Sequence, residues 1–248
     1  MISVITCTWN SMATLPQTVA SVLAQKNASF EHIVVDGGST DGTLEYLREL
    51  PHSPVILEGV GGGIAKAMNA GAEAARGEYL CHLHSDDYFL HERVLQRVDE
   101  HFAASRSDWL FGRILFDSDG ALLPEPFIVP EYSYDRLLRR NFVPHPATFV
   151  RTALFRELGG FRTDLKYVMD YEFFLRLGQR AQPLALKEAL SVFRVHAGST
   201  TVKNQLASFE EDHAVRLRYA GRSWPEQFMH AARYRVRRRR LLVQLAKD

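Results

Sequence analysis

The chain has 248 residues, 46% hydrophobic and 24% charged, with a formal net charge of +1. That is enough polypeptide for one large domain or two small ones with a full core, and the composition is ordinary for a globular protein. No run of about 18 apolar residues occurs, which excludes a transmembrane helix. The opening "MISVITCTWN" lacks a basic region ahead of its apolar stretch, so it reads as a strand and not as a signal peptide.

The first hundred residues alternate. "ISVITCT" predicts a strand. "TLPQTVASVLAQK" predicts a helix, with Thr14 at its N-cap, Pro16 in its first turn and apolar spacing at Val19, Val22 and Leu23. "HIVVDGG" is a second strand. "TDGTLEYLREL" is a second helix, with Asp41 or Thr43 near its start. "PVILEG" is a third strand, and "GIAKAMNAGAEAARG" an Ala-rich helix stopped by Gly77. "EYLCHLH" is a fourth strand and "HERVLQRVDEHFAA" a fourth helix. Strands alternating with helices predict βαβ units and a parallel sheet covered on both faces. Cys7 and Cys81 are the only cysteines, and both lie in predicted strands. This suggests buried thiols in a reducing cytosol, with no disulfide framework.

The second half changes character. "DWLFGRILFDSDGALLPEPFIV" predicts a hairpin or meander around "DSDG". "HPATFVRTALFRELGGF" predicts a short strand and a helix ending at Gly159–Gly160. The helix "DYEFFLRLGQRA" follows, then mixed strand and turn over "PLALKEALSVFRVH". Two helices close the chain, "NQLASFEEDHAVRLRYA" and "PEQFMHAARYRVRRRRLLVQLA". No repeat, low-complexity segment or linker divides it. The expectation is one continuous α/β domain with a helical C-terminal extension.

In open parallel sheets ligands bind beyond the carboxyl ends of the strands. Strand one ends in "TCTWN", strand two in "DGGSTDG" and strand four in "HSDD". These three carboxyl ends together form one candidate site. Trp9, beside Thr8 and Asn10, either stacks on a flat ring such as a nucleobase or caps the core. Asp36 either accepts from a base N–H or ribose hydroxyl, or makes an Asx-turn. The adjacent Asp86 and Asp87 repel each other unless a cation lies near them. They read as a metal site or as the N-cap of the helix that follows.

The stretches "SVITCTWN", "HIVVDGGSTDGT", "GGGIAKAMNAGAEAARGEYLCHLHSDD" and "DYEFFLRL", in this order and spacing, closely resemble the family 2 glycosyltransferases of the GT-A fold, over roughly residues 1–200. The nearest flavour is the small bacterial enzymes of exopolysaccharide, capsule or O-antigen synthesis. The resemblance implies a Rossmann-like, mostly parallel central sheet flanked by helices. Residues 1–105 would be the nucleotide-sugar half, 106–200 the acceptor half, and 201–248 a helical extension. It also implies an inverting, metal-dependent transfer of one sugar from a UDP- or GDP-sugar to a saccharide or lipid-linked saccharide acceptor.

Carried over residue by residue, Trp9 looks like the base-stacking residue with Thr8 alongside, and Asp36 like the base or ribose contact. Asp87 looks like the ligand for Mn²⁺ or Mg²⁺, with Asp86 nearer the ribose or a metal-bound water. Asp170 looks like the catalytic base, and His196 like a diphosphate or metal contact. His145 is a candidate contact to acceptor or phosphate, or a structural loop histidine. Arg194 would pair with the diphosphate or with a surface carboxylate. Glu172, two residues from Asp170, does not share its helix face and reads as structural.

Two departures qualify the resemblance. "GVGGGIAKAMNAG" stands where many relatives carry "DxGIYDAMNxG", which leaves the donor sugar open; Lys66 there points at the diphosphate or is solvated. The absence of Q-x-x-R-W argues for adding one sugar and not a polymer.

From Arg233 to Lys247 there are seven basic residues and no acidic one. Interspersed apolar residues make this a basic amphipathic helix suited to an anionic leaflet, or a solvated terminal helix. Nucleic acid is a poor fit, because no aromatic platform accompanies the cations. The expected location is cytoplasmic, peripheral at the inner face of the cytoplasmic membrane. Two other functions compete: a catalytically silent nucleotide-sugar-binding or assembly protein, and a sugar nucleotidyltransferase. The latter would want a Gly-rich, Arg- and Lys-bearing loop after strand one, and "TCTWNSMATLP" is not one.

Overall fold

The computed structural model describes residues 1–118, 120–125, 129–195, 204–220 and 224–245. One nine-stranded sheet runs through the molecule in the order β3-β2-β1-β4-β8-β6-β9-β5, with β7 paired to β6. The first four strands are β1 (Ile2–Thr8), β2 (Phe30–Asp36), β3 (Val55–Leu57) and β4 (Tyr79–His82), all mutually parallel. The helices between them are α1 (Leu15–Leu23), α2 (Thr43–Arg48) and α3 (Ile64–Ala74). Every residue of β1 is buried, which explains why it reads as a continuous apolar run: both faces of a parallel sheet are covered.

Side-chain alternation divides that run between two cores. Ile5 and Cys7 join one core with Met68 of α3, and Ile2 and Val4 join the other. Both cysteines are buried free thiols, and burial pushes each well above its ordinary pKa. Helix α4 (Val94–Ser105) covers the second core, while α6 (Thr152–Glu157) and α7 (Met169–Arg180) cover the first.

Beyond β4 the sheet becomes mixed. β8 (Thr148–Arg151) is antiparallel to β4 and to β6 (Trp109–Ser118). β9 (Leu184–Arg194) runs parallel to β6. β5 (Tyr88–Phe89) pairs antiparallel with β9, and β7 (Ala121–Pro124) closes the expected hairpin with β6. Six of the nine strands therefore share one direction, so the sheet is mostly parallel, as expected. The stretch read as mixed strand and turn is one long strand, β9, with irregular register near Gly112 and Arg113. β5 and the short α5 (Tyr134–Arg139) have no counterpart in the sequence reading; both are too short to show a period.

The C-terminal helices are α8 (Gln205–Tyr219) and α9 (Trp224–Leu245). α8 is part of the main core, since Val215 is fully buried with α7 residues. Its Glu211 carboxylate accepts from three successive backbone amides, Lys166, Tyr167 and Val168, at 2.6–2.9 Å. Those donors precede α7, so α8 sets the position where α7 begins.

Gly71 of α3 faces β1 so closely that a Cβ there would lie 2.4 Å from the buried Ile5 Cγ2. Gly71→Ala is expected to force helix and strand apart and to lower stability by about 1–3 kcal/mol, read from the midpoint of urea unfolding.

Candidate active site

Strands β1, β2 and β4 end at one edge of the sheet, and Thr8 is the register partner of Asp36. The order 3-2-1-4 reverses between β1 and β4, which makes this edge a topological switch point. The loops leaving the strands have no ladder to hold them, and side chains do it instead. Asp36, fully buried, accepts from the Gly38 and Ser39 amides at 2.8 and 2.9 Å and from the Ser39 hydroxyl at 2.5 Å. The Asx-turn reading of Asp36 is thus realised. A carboxylate has about four acceptor positions, so one remains.

Asn10 sits at a positive φ of 50°, a conformation Asn tolerates well. Its amide donates to the Ser39 hydroxyl at 2.8 Å, and its side-chain oxygen accepts from the Thr40 amide at 2.8 Å. Asp41 accepts from the Met12 amide at 3.0 Å and from the Thr43 hydroxyl at 2.6 Å. The Thr43 hydroxyl first, and then the Met12 amide, hold the Asp41 carboxyl below its ordinary range. Ser85 donates to Ser11 at 2.9 Å, tying in the loop after β4. The loop after β3 joins through the Val60 amide, which donates to the Asp36 carbonyl at 2.9 Å.

This frame presents Trp9 outward. Trp9 is 68% exposed, so it does not cap the core; its ring edge lies where a Cβ on Gly37 would meet it at 3.5 Å. Beneath it the Thr8 hydroxyl is buried without a hydrogen-bond partner. Lys66 folds back over the glycine loop, its ammonium 2.9 Å from where a Cβ on Gly62 would be.

Asp87 is 2% exposed, while Asp86 is half-buried. Burial, and next the charge on Asp86, push the Asp87 carboxyl well above the ordinary range. The Arg194 amide donates to Asp87 Oδ1 at 3.3 Å. The Arg194 guanidinium donates to the Asp86 carbonyl at 3.2 Å and to the Gln17 side chain. The structure thus brings Arg194 onto the Asp86–Asp87 loop, where protein acceptors engage its side chain. Neither aspartate caps α4, which starts at Val94 without a side-chain cap.

Two further histidines belong to this edge. His82 and His84, two apart on one strand end, project to the same face, and His145 stacks on both. Ring centroids are 5.7 Å apart for His82–His145 and 4.9 Å for His84–His145. His145 lies in a 3₁₀ turn, His145–Ala147. Neither of its ring nitrogens has a partner, nor has His84 Nδ1. Burial pulls all three imidazoles below their ordinary pKa, so they are neutral at pH 7. Sequence reasoning singled out His145 and missed His82 and His84, although the alternation in "CHLHSDD" carried the signal.

Phe174 continues the file of rings, 6.3 Å from His145. One helical turn before it on α7 is Asp170, at i and i+4 on the same face. Burial raises the Asp170 carboxyl to about 6, against an opposing hydrogen bond from the Tyr171 amide at 2.7 Å. Glu172 points into the core at 1% exposure, paired with Arg176 at 2.7 Å and accepting from the Tyr219 hydroxyl, so its charge is engaged within the protein. His196 lies outside the described residues.

Among the described residues no cluster of three or more His, Cys, Asp and Glu side chains is arranged to hold a metal ion. Asp86 and Asp87 are nevertheless a donor set of the kind that suits Mg²⁺ or Mn²⁺. Such ions are commonly held by one or two carboxylates and completed by substrate phosphates.

A switch-point edge with an exposed aromatic and paired acids has the layout at which open α/β sheets bind their ligands. The model for Glycosyl transferase family 2 matches residues 3–157, and the chain belongs to that family. It is 33% identical to an uncharacterized glycosyltransferase of Mycobacterium tuberculosis over 198 residues, 77% of this chain and 74% of the relative. It is 31% identical to a PGL/p-HBAD biosynthesis glycosyltransferase of Mycobacterium bovis, over 71% of this chain and 69% of the relative.

Two solved structures share the fold. Staphylococcus aureus TarS 1-349 in complex with UDP-GlcNAc superposes with a TM-score of 0.71 at 24% identity, over 86% of this chain and 65% of that one. The mannosyltransferase PcManGT of Pyrobaculum calidifontis, in complex with GDP-Man and Mn²⁺, superposes at 0.69 with 18% identity, over 94% and 69%. The chain spans just under two thirds of the TarS 1-349 chains and 39% of the longer TarS chain.

Asp36→Ala removes three acceptor bonds from a fully buried turn. It is expected to lower stability by about 2–3 kcal/mol and to speed amide exchange in residues 37–43, which hydrogen-exchange mass spectrometry would report.

Proposed function

We propose that the chain is an inverting glycosyltransferase that moves one sugar from a UDP- or GDP-sugar to a saccharide or lipid-linked saccharide acceptor in cell-surface glycan synthesis. The observation that carries this reading is the set of unpaired buried polar atoms at one sheet edge. They are the Thr8 hydroxyl, His84 Nδ1 and both nitrogens of His145. Buried polar groups are nearly always hydrogen-bonded, and a polar ligand along this edge would complete all of them. The nucleotide-sugar complexes of the TarS and PcManGT structures are in keeping with such a ligand.

In this reading the nucleobase stacks on the outward face of Trp9, with the Thr8 hydroxyl reaching its edge. The remaining acceptor position of Asp36 takes a base N–H or a ribose hydroxyl. Asp87, with Asp86 beside it, would hold Mn²⁺ or Mg²⁺, which would neutralise the charge developing on the leaving diphosphate. The same ion would offset the repulsion between the paired aspartates. Arg194 fixes that pair by binding the Asp86 carbonyl and Asp87 Oδ1. The neutral imidazoles of His84 and His145 can donate or accept toward sugar hydroxyls or phosphate.

Inversion needs one base on the acceptor side and no covalent nucleophile. Asp170 takes the acceptor hydroxyl proton. A carboxyl raised to about 6 is a stronger base than an ordinary aspartate, yet still ionised at neutral pH.

No helix among the described residues is long and apolar enough to cross a membrane. Peripheral contact through α9 is part of the proposal, with Val236 and Val243 exposed beside Arg235, Arg239 and Arg240.

Three outcomes test the reading. In thermal shift with UDP- and GDP-sugars, Asp87→Ala should abolish the Mn²⁺-dependent part of the stabilisation. Asp170→Asn should keep donor binding and lower transfer by roughly 10²–10⁴-fold; equal loss of both would remove Asp170 from the role of base. The base is active when ionised, so transfer at saturating donor should hold above pH 7 and fall as pH drops through about 6.

A further inference from the structure

The basic tail is not uniformly solvated. On α9, Arg233 and Arg237 are one turn apart and turn inward toward α8. There they line a cavity with Arg216 of α8 and Arg139 at the end of α5. Counted out into solvent the hollow spans about 290 Å³, nearly all of it open to solvent. Among the described residues Asp212 is the only acid in its lining, and Arg216 is paired with it. Four arginine side chains and one carboxylate therefore line the same hollow. The wall is stiffened by rings, with Tyr234 stacked on His213 at 3.9 Å and on Phe209 at 5.4 Å.

Among the described lining residues Asp212 answers only one of the four positive charges. Arg216 Nε is buried and has no hydrogen-bond partner. Arg237 Nη1 makes a long 3.4 Å bond to the Arg139 carbonyl. Burial, and next the nearby Arg216 charge, lower the Arg237 pKa. Arginine forks match phosphate oxygens in pairs of parallel hydrogen bonds, and several forks placed around a small open hollow can engage different oxygens of one tetrahedral phosphate group.

We propose that this cavity is a binding site for a phosphate ester, separate from the donor site at the sheet edge. Its floor adjoins the start of α7, for the Arg216 guanidinium lies 5.9 Å from the ring of Tyr171, the neighbour of Asp170. If Asp170 is the base, as proposed above, the phosphate belongs to the acceptor side. Its source is then either the headgroup of an anionic phospholipid or a phosphate carried by the acceptor.

The test compares two double variants that remove the same charge from α9, Arg233→Gln with Arg237→Gln inside the cavity and Arg235→Gln with Arg239→Gln outside it. Thermal shift in sodium phosphate against sodium chloride of equal ionic strength, without divalent metal, reads the site. Phosphate should stabilise the wild type and the outer variant, and the inner variant should need about tenfold more phosphate for the same shift. A wild-type response in the inner variant, or equal loss in both, overturns the proposal. Circular dichroism checks the inner variant's fold, and the single Arg139→Gln variant on the exposed end of α5 should weaken the response in the same sense.

Cosedimentation with phosphatidylglycerol against phosphatidylcholine vesicles separates the sources. Loss of phosphatidylglycerol binding in the inner variant assigns a lipid headgroup. A phosphate response that follows the inner pair while vesicle binding follows the outer pair assigns a phosphorylated acceptor. The Mn²⁺-dependent shift with nucleotide sugar, run on the same samples, reports the donor site. Its absence would overturn the transferase reading and leave the phosphate site standing.

Discussion

Everything at the sheet edge depends on how the loops leaving β1, β2 and β4 are held. Parallel strands deliver their carboxyl ends to the same side, but the ladder stops where the strands stop. The backbone groups beyond it need other partners. Here short polar side chains supply them: Asp36 gathers its own loop, Asn10 and Asp41 bind the loops after β1 and β2 to each other, and Ser11 with Ser85 ties in the third. Each bond contributes only about 1 kcal/mol, yet together they fix the backbone of three loops before any ligand arrives. A preorganised site loses less freedom on binding, and the outward pose of Trp9 is a product of that frame.

The acids of the molecule separate according to what surrounds them. Glu211 and Glu172 spend their charge inside the protein, on the amides before α7 and on Arg176. Asp87 and Asp170 are raised because burial is not matched by protein cations. Perturbed carboxyls without internal compensation concentrate where chemistry is done. The file of rings from His84 through His145 to Phe174 joins the two. The C-terminal helices take part in this arrangement, since Glu211 of α8 sets the start of the helix that carries Asp170.

Family membership alone leaves open which residues matter in this chain. The resemblance leads one to expect an acid and a Tyr-Asp pair here, whereas this chain carries the glycine loop "GVGGG" with Lys66 lying across it.

What the sequence determined by itself was local. Continuous apolar runs marked strands buried on both faces, Gly and Pro marked their ends, and the pattern of carboxyl-end polar residues marked the edge where Thr8, Trp9, Asp36, Asp86 and Asp87 meet. Those features depend on neighbours a few residues away, so they are legible in one dimension. Tertiary structure decided the rest. The antiparallel turn of the sheet after β4 depends on β8, β6 and β9, whose pairing partners are far apart in sequence. The stacking of His145 between His82 and His84 needs a contact across some sixty residues. The choice of Asp36 for its own turn was open until the loop geometry was known. The division of the basic tail into an outer face and an inner cavity depends on where α8 lies, because helical periodicity says which residues share a face but not what that face meets.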